Sequence, residues 1–178
     1  MGVPHLFEEQ ILFIGTLFPD ESIFNQVIPD LQDKFGNILF QSNIQPWKYS
    51  EHYNNEMGTP LYRKFIFFAE IIDPSTQADI KLLTNGIEDV YSHDGKRLIN
   101  LDPGYITLAK VVLASTKNYS HRIYLGKGIY AELALVYRNQ QFITMPYTYN
   151  DYKDQTYLAM FMNVRNLLKD KQGRKIIS

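Results

Sequence analysis

Apolar positions along the chain occur either in short continuous runs or at helical spacing. The run ILFIGTLF at 11–18 is continuous and rich in β-forming residues, which predicts a central strand. Residues 21–35 change to helical spacing, and Asp20 and Gly36 stand where an N-cap and a C-terminal stop are expected. Pro29 inside this pattern predicts a kink or a restarted helix. The apolar positions of the predicted helix are Ile23, Phe24, Val27, Leu31 and Phe35.

Both patterns recur in the next part of the chain. Strands are predicted near 37–42, at 61–72 and at 96–101, and the turn-rich aromatic segment 45–60 is predicted to be an ordered loop. A second helix is predicted to begin at Asp73, which a proline follows. Its apolar positions are Ile80, Leu83, Ile87 and Tyr91. The order strand, helix, strand, strand, helix, strand predicts an α+β fold with a ferredoxin-like split βαβ core, in which helices cover one face of an antiparallel sheet.

The elements after this core are less uniform in pattern. DPGY at 102–105 has Pro and Gly at the positions that a type II turn uses. The segment 107–117 fits a helix or a strand, and we favour a helix, which would place Lys110 and Lys117 on one face. A hairpin and a strand at 141–147 are predicted to follow.

The end of the chain predicts one more helix and no further domain. The helix is predicted to begin at Asp154 and to end near Gly173, with a frayed basic tail at 171–178. Its apolar positions are Tyr157, Leu158, Phe161, Val164 and Leu168. No internal repeat or linker interrupts the chain, so residues 1–178 are predicted to form a single domain.

The hairpin at 119–137 has the most regular arrangement of polar residues. If Gly126-Lys127-Gly128 forms a three-residue turn, the register of the whole hairpin follows. The predicted opposite pairs are Leu125–Ile129, Tyr124–Tyr130 and Arg122–Glu132. Alternation then places the last two pairs on one face and His121 on the other. A two-residue turn would change these partners.

Composition and charge bound the class of protein. A net charge of -1 over 178 residues, with 45% hydrophobic and 21% charged residues, is typical of an ordinary globular protein. This charge gives non-specific nucleic-acid binding no support, although a local basic patch would still allow contact with a nucleic acid. The chain has no cysteine, which excludes disulfides, thiolate metal sites and a cysteine nucleophile. The apolar run at 11–18 is too short to span a bilayer and does not resemble a signal peptide. We therefore expect a soluble, cytoplasmic protein with no membrane partner.

Arg122 and Glu132 carry the strongest hypothesis about chemistry. In this hypothesis Arg122 clamps an anion, Glu132 acts as a base or metal ligand, and Tyr124 and Tyr130 line the pocket. The simpler interpretation is a cross-strand ion pair that contributes roughly 0.2–1 kcal/mol to the sheet. His121 is a candidate for proton transfer, since an imidazole exchanges protons near neutral pH, and a purely structural hydrogen-bonded role is its alternative.

Other polar motifs give weaker indications. The four histidines are far apart in sequence and have no ligand spacing, so no dedicated metal site is expected, although His52 and Glu56 would share a face if their segment were helical. A helix that started after 102–105 could hold an anion at its free N–H groups. The loop at 49–58 has the composition of a ligand-binding loop, and also that of a loop that only covers the edge of a core.

Five segments resemble a bacterial family, the domain of unknown function 4416. They are YNNEMG with Arg63 following, IKLLTNGIED, RLINLDPGYITLAKVVLASTK, SHRIYLGKGIYAELALVY and TYNDY, and the resemblance covers residues 8–170 in the same order. Lys127 and the segment 147–152 depart from the family's usual residues. Some members carry the label GTP-binding protein, but this chain has neither a P-loop nor an NKxD motif, so that label does not transfer.

The resemblance implies that a set of polar residues from several elements belongs to the family's motifs. They are Glu56, Arg63, Asn85, Glu88, Arg97, Asp102, Lys117, His121, Arg122 and Glu132. They are a mix of carboxylates, cations and one imidazole from several elements, and the hypothesis is that they converge on one polar pocket.

The leading hypothesis is a pocket for a small anionic, phosphate-bearing ligand. Arg122, Lys117 and Arg97 would bind the anion, and acid–base work would fall to Glu132, Asp102 or His121. The other expected ligand-binding residues are Glu56, Tyr124 and Tyr130. The alternative is an RNA- or protein-binding module that uses an aromatic ferredoxin-like sheet, and a structural or assembly role is a third possibility. The sequence specifies no cofactor, no oligomeric state and no reaction.

Overall fold

The first predicted strand and helix form where the sequence pattern places them. The computed structural model describes residues 2–177, with side chains to residue 173. Strand β1 (Ile11–Phe18) is buried along its whole length. Helix α1 (Glu21–Phe35) begins after Asp20, whose carboxylate accepts a hydrogen bond of 2.7 Å from the Ser22 N–H. It runs as one element through the predicted kink and ends at Gly36 with φ +84°.

The remaining elements alternate short and long strands with three further helices. The strands are β2 (Ile38–Gln41), β3 (Gln45–Pro46), β4 (Tyr62–Ile71), β5 (Ser92–His93), β6 (Lys96–Arg97), β7 (Asn100–Ile106), β8 (Lys110–Ser115), β9 (Arg122–Gly126), β10 (Ile129–Arg138) and β11 (Gln141–Thr144). The helices are α2 (Asn54–Met57), α3 (Gln77–Val90) and α4 (Gln155–Ile177), and single 3₁₀ turns at Pro74–Thr76 and Asp151–Lys153 precede α3 and α4.

Nine of these strands form one sheet. Its order is β11-β10-β8-β7-β1-β4-β2, with β3 paired to β4 and β9 paired to β10, and the hydrogen-bonded neighbours run antiparallel. β5 and β6 form a separate hairpin. The α+β class and the antiparallel sheet predicted from the sequence are therefore confirmed.

Helices cover both faces of the sheet. Alternate residues of β1 and β4 point to opposite sides, so Leu12 and Ile66 pack with α1 and α3, whereas Phe13 and Phe65 pack against α4. Because both faces are covered, the central strands carry continuous apolar runs without polar alternation. No helix in residues 2–177 is long and apolar enough to cross a bilayer.

Two predicted elements are wrong. The segment 102–105 is an interior part of β7 and makes no turn, and the segment 107–117 contains β8 in place of a helix. β8 lies between β7 and β10 with four consecutive buried residues, so its pattern has neither a period of 2 nor one of 3.6. The predicted fourth core strand also begins later, because residues 96–97 pair with β5 and the strand beside β1 begins at Asn100.

The turn of the β9–β10 hairpin differs from the prediction, but its register mostly agrees. Lys127 and Gly128 have φ of +56° and +76° and form a two-residue turn that pairs Gly126 with Ile129. A bulge between Ile129 and Tyr130 then restores the predicted register. The Tyr124–Tyr130 and Arg122–Glu132 pairs are confirmed, and the Leu125–Ile129 pair is wrong.

Helix α4 begins as predicted but is longer. The Asp154 carboxylate accepts a hydrogen bond from the Thr156 N–H, and Tyr157, Phe161, Val164 and Leu168 are buried. The helix continues past Gly173 to Ile177. Of the predicted basic tail, residue 178 and the side chains of 174–177 lie outside the described part of the chain.

Candidate functional site

Side chains from six separate segments meet in a cleft of about 390 Å³. It lies on the face of the sheet that carries α4 and opens beside the loop between β3 and α2. The lining residues are Trp47, Tyr49, Ser50, His52, Tyr53, Arg63, Asp102, Leu113, Ala114, Ser115, Lys117, Glu132, Tyr149, Asn150, Asp151 and Tyr152. The volume is in the range of small-molecule sites.

Arg63, near the start of β4, forms the floor of the cleft. Its guanidinium is 3% exposed and lies 3.3 Å from carboxylate oxygens of both Asp102 and Asp151. It crosses β1 over Gly15, where a Cβ atom would come within 2.7 Å of the Arg63 Nη2 atom. Glycine in this strand therefore makes room for the arginine, as a glycine inside a strand often does for a close approach.

The two carboxylates beside Arg63 differ in their surroundings. Burial tends to raise the pKa of Asp102, but the Lys81 ammonium and the Arg63 guanidinium hold it below its ordinary value. Burial raises the pKa of Asp151, and Arg63 only partly offsets this effect. Burial also opposes the charged form of Arg63, but Asp151 and the other acidic groups around it raise its pKa. The guanidinium therefore stays charged.

A second group of charges extends this network away from the cleft. The Asn100 side chain donates a 2.7 Å hydrogen bond to Asp102 and accepts one of 2.9 Å from Arg97. Arg97 binds Glu56 through two parallel hydrogen bonds of 2.6 and 2.9 Å and binds Glu88 at 3.0 Å. Glu88 also accepts from the Leu101 N–H of β7. Hydrogen bonds and ion pairs thus connect α2, α3, β4, β6 and β7 through one continuous chain of polar contacts.

Arg122 and Glu132 form the opposite wall of the cleft. Glu132 is 1% exposed, and its Oε2 atom accepts a hydrogen bond of 2.8 Å from Arg122 Nε and lies 2.6 Å from Arg122 Nη2 in the ion pair. Arg122 also donates to the Ser115 hydroxyl, to the Lys117 carbonyl and to the Tyr149 hydroxyl. Burial opposes the charge of Arg122, but the hydrogen bond to Glu132 raises its pKa. The Arg122 side chain is therefore fully engaged in holding the wall.

His121 lies beside this pair, contrary to the prediction that it would face away. β9 begins only at Arg122, so strand alternation does not apply to the residue before it. The His121 Nε2 atom is 3.4 Å from Glu132 Oε2, and its ring stacks on that of Tyr147 with the centroids 4.1 Å apart. The three polar residues of the hairpin therefore do form one cluster.

Lys117 and a set of aromatic rings complete the cleft. The Lys117 ammonium makes no ion pair within the described part of the chain. The aromatic walls are Trp47, Tyr49, Tyr53, Tyr149 and Tyr152. Burial raises the pKa of Tyr53 and of Tyr149, so both hydroxyls keep their protons at neutral pH. Among the described residues the cleft thus offers one lysine without an ion pair, flat aromatic walls, and carboxylates that Arg63 and Arg122 hold.

The structure brings together most, but not all, of the residues predicted from the sequence. Glu132, Asp102 and Lys117 line the cleft, and Arg122 and His121 contact Glu132. Glu56 and Arg97 reach Asp102 only through Asn100. Tyr124 and Tyr130 lie outside the cleft, where their rings pack on each other with centroids 5.1 Å apart. Lys110 and Lys117 lie at and beyond the two ends of strand β8, so they share no helix face.

The sequence did not single out several cleft residues individually, although Tyr53 lies in the loop at 49–58 and Tyr149 and Asp151 lie in the segment TYNDY. Trp47, Tyr53, Asp151 and Tyr149 come from loops and a 3₁₀ turn, where no periodicity indicates which side chains turn inward. Gly15 inside an apolar strand is the one local sign of the buried arginine, since glycine weakens a strand unless a neighbour needs the space.

The Arg97–Glu56 pair should make stability depend on pH. The hydrogen bond from Arg97 lowers the pKa of Glu56 in the folded chain, so this carboxylate contributes stability above its unfolded pKa of about 4.3 and loses it as pH falls below that value. Glu56→Gln should therefore be less stable than the wild type at pH 7, with a difference that shrinks as pH falls below about 4. Urea unfolding at several pH values measures this.

Glu51→Gln is the matched control for that series, because Glu51 is an exposed acid in the loop just before α2. Its stability relative to the wild type should not change with pH. An equal pH trend in both variants would assign the effect to general charge and not to the Arg97 pair.

The residues from 2 to 177 contain no group of three or more histidine, aspartate or glutamate side chains placed to hold a metal ion. Asp102 and Asp151 approach each other, but Arg63 lies between them and supplies the positive charge.

Comparison with known proteins gives one match. A search of curated proteins and a search of solved structures found nothing similar to this chain. A family model for the domain of unknown function 4416 matches residues 8–168. The matched range includes all of the cleft residues and ends within α4. Because it covers most of the sequence, the chain belongs to the domain of unknown function 4416 family.

Proposed function

We propose that the cleft binds a small anionic ligand, such as one that bears a phosphate group. The observation that carries the proposal is the Lys117 ammonium, a lining cation without an ion-pair partner in the described chain, at the rim of an aromatic cleft. An unpaired cation beside flat apolar walls suits an anionic group attached to an organic body. Arg122 supports Lys117 indirectly, because it binds the backbone carbonyl of that residue.

The buried charges in the cleft are better explained by a binding function than by a contribution to folding stability. Replacing buried ion pairs by apolar residues is often neutral or stabilising, so a chain gains little stability by keeping a network such as Arg63 with Asp102 and Asp151. Charged groups with shifted pKa values in a cleft are typical of functional sites. Glu132, Asp102 and His121 stay candidates for acid–base work, and whether a reaction follows binding is a separate question.

We also propose that the first four core strands form a ferredoxin-like unit. The order β7-β1-β4-β2 with antiparallel neighbours supports this, as does the packing of α1 and α3 on one face. An RNA-binding use of this sheet has less support, because the aromatic residues of β4 that it needs, Phe65 to Phe68, are fully buried.

A thermal-shift series tests the anion site. Inorganic phosphate, pyrophosphate, phosphate monoesters and carboxylates are compared at equal ionic strength on the wild type and on Lys117→Ala. A ligand present at about 100 times its Kd stabilises by about 2.7 kcal/mol, which is roughly 5–10 °C for a chain of this size. We expect at least one phosphate compound to give a shift of this order, and Lys117→Ala to remove most of it.

Lys110→Ala is the control, because Lys110 is an exposed lysine at the other end of β8 and lies outside the cleft. It should respond to ligand as the wild type does. The proposal fails if no anion stabilises the protein, or if the two lysine variants respond alike.

A further inference from the structure

Two carboxylate oxygens in the cleft lack hydrogen-bond donors. Glu132 Oε1 is buried and has no hydrogen-bond partner among the described residues, although Oε2 of the same group accepts from Arg122. Asp102 Oδ2 accepts from Arg63 and Asn100, whereas Oδ1 has only the Lys81 ammonium at 3.8 Å, beyond hydrogen-bond distance. A buried acceptor without a donor is costly, so Glu132 Oε1 marks a position where a donor from outside the chain fits. The Asp102 side chain is 32% exposed, so its Oδ1 atom is open to the cleft and can accept from a ligand in place of water.

The charges around these oxygens decide what kind of donor fits. The carboxylates in the cleft are already matched by cations from the chain, which leaves one cation in excess. The acids are Asp102, Asp151 and Glu132, and the cations that line the cleft or contact these acids are Arg63, Lys81, Arg122 and Lys117. An ammonium donor from a ligand would add positive charge where none is needed. Neutral hydroxyl donors add no charge, and an anion bound at Lys117 neutralises the one cation in excess.

The sheet register places the two open oxygens on opposite sides of the same space. Leu113 on β8 pairs with Gly104 on β7 and with Glu132 on β10, so these three residues point to one face, and Asp102, two residues before Gly104, points there too. β7 and β10 are two strand spacings apart, about 10 Å. A single sugar ring fits between side chains that extend from strands at this separation, and Leu113 lies under it.

We propose that the ligand of this cleft is a phosphorylated sugar. Its phosphate binds Lys117, its ring lies against the aromatic walls, and two of its hydroxyl groups donate to Glu132 Oε1 and Asp102 Oδ1. This inference rests on the anion site proposed above and adds the requirement for hydroxyl donors. The C–H face of a sugar ring suits flat tyrosine and tryptophan rings such as Tyr53 and Trp47.

Calorimetric titration with matched pairs of ligands tests the requirement. Ribose 5-phosphate is compared with tetrahydrofurfuryl phosphate, which keeps the five-membered ring and the phosphate but has no hydroxyl groups. Glucose 6-phosphate is compared with the equivalent tetrahydropyran ester. We expect at least one sugar phosphate to bind at least tenfold more tightly than its hydroxyl-free partner, because one hydroxyl satisfies the buried Glu132 Oε1 atom and another donates to Asp102 Oδ1.

Two kinds of variant separate the two subsites. Asp102→Asn/Glu132→Gln should reduce the preference for the sugar phosphate to less than about threefold. Lys117→Ala should weaken both members of a pair equally and leave the preference unchanged. The comparison of ligands on the wild type stands by itself if the double variant does not fold.

Each outcome decides a different claim. If both members of every pair bind the wild type equally and lose affinity in Lys117→Ala, the sugar inference is overturned and the anion site stands. If none of these phosphate esters binds at millimolar concentration, the sugar inference is overturned, and the anion site falls with it only if no anion of the thermal-shift series stabilises the protein.

Discussion

Arg63→Ala is expected to lower the free energy of unfolding by about 3–5 kcal/mol, because the change leaves two carboxylates in a buried site without their shared guanidinium. The loss of the guanidinium destabilises the Asp151 carboxylate most, since this side chain is 5% exposed and burial already raises its pKa. For a chain of this size the loss corresponds to a melting temperature lower by roughly 6–20 °C. Urea unfolding monitored by circular dichroism measures the free energy directly.

Arg138→Ala is the matched control, since Arg138 is an exposed arginine at the end of β10. It should change stability by less than about 0.5 kcal/mol. A loss below about 1 kcal/mol in Arg63→Ala would contradict the account of a buried, shared cation.

Replacing Arg63 and both of its carboxylate partners by neutral residues tests whether these charges are needed for folding. Arg63→Met/Asp102→Asn/Asp151→Asn removes all three charges together, and we expect this variant to recover most of the stability lost by Arg63→Ala. Recovery would mean that the charges are dispensable for folding, which leaves ligand binding as their role. A triple variant as unstable as Arg63→Ala would assign them to the fold instead.

Arg122→Ala is expected to destabilise the protein by a similar amount, about 3–5 kcal/mol. It leaves Glu132 buried with only His121 near it, at 3.4 Å, and it also removes the hydrogen bonds to Ser115, Lys117 and Tyr149. Arg122→Lys should lose less, because it keeps the charge but not the planar fork that reaches several acceptors. Thermal unfolding of the two variants ranks them.

The same hairpin provides the control for that prediction. The Lys127–Asp79 pair at its turn is more than half exposed on both sides, so Lys127→Ala should cost at most about 1 kcal/mol. Equal losses in Lys127→Ala and Arg122→Ala would mean that burial does not determine the strength of these pairs.

The elements with clear caps and regular apolar spacing could be predicted from the sequence. α1 has Asp20 before it and Gly36 after it, and α4 has Asp154 at its start, so local hydrogen bonds fixed these ends. The Arg122–Glu132 pairing also followed from local pattern, although a two-residue turn and a bulge produce it. Helix caps and hairpin pairing depend on residues that are close in sequence, so they can be predicted from the sequence alone.

The errors arise where distant strands decide the local structure. Pro103 and Gly104 are typical of a turn, but Gly104 lies in β7, where a Cβ atom would come within 2.5 Å of the Phe13 ring of β1 and 2.6 Å of the Val112 carbonyl of β8. The β7–β8 ladder begins at Gly104, so the missing amide of Pro103 leaves no gap in it. Only the assembled sheet shows that this glycine serves close packing.

The cleft is also formed by residues that are distant in sequence. The polar set predicted to converge does so in part, through contacts between residues such as Arg63 and Asp151 that are 88 positions apart in sequence. Tyr124 and Tyr130 had the right alternation but lie beyond the end of the cleft. Alternation indicates which face a side chain occupies, whereas the position of a cleft along the strand depends on the loops that close over it.

Trp47 offers the most direct test, because it is the only tryptophan of the chain and it lines the cleft beside Arg63. Its fluorescence is followed while pyrophosphate or a sugar phosphate is added to the wild type, to Lys117→Ala and to Lys110→Ala. An anion site in this cleft predicts a saturable change in the wild type and in Lys110→Ala, and its loss in Lys117→Ala. A saturable change that survives in Lys117→Ala, or no change with any phosphate ligand, would contradict it.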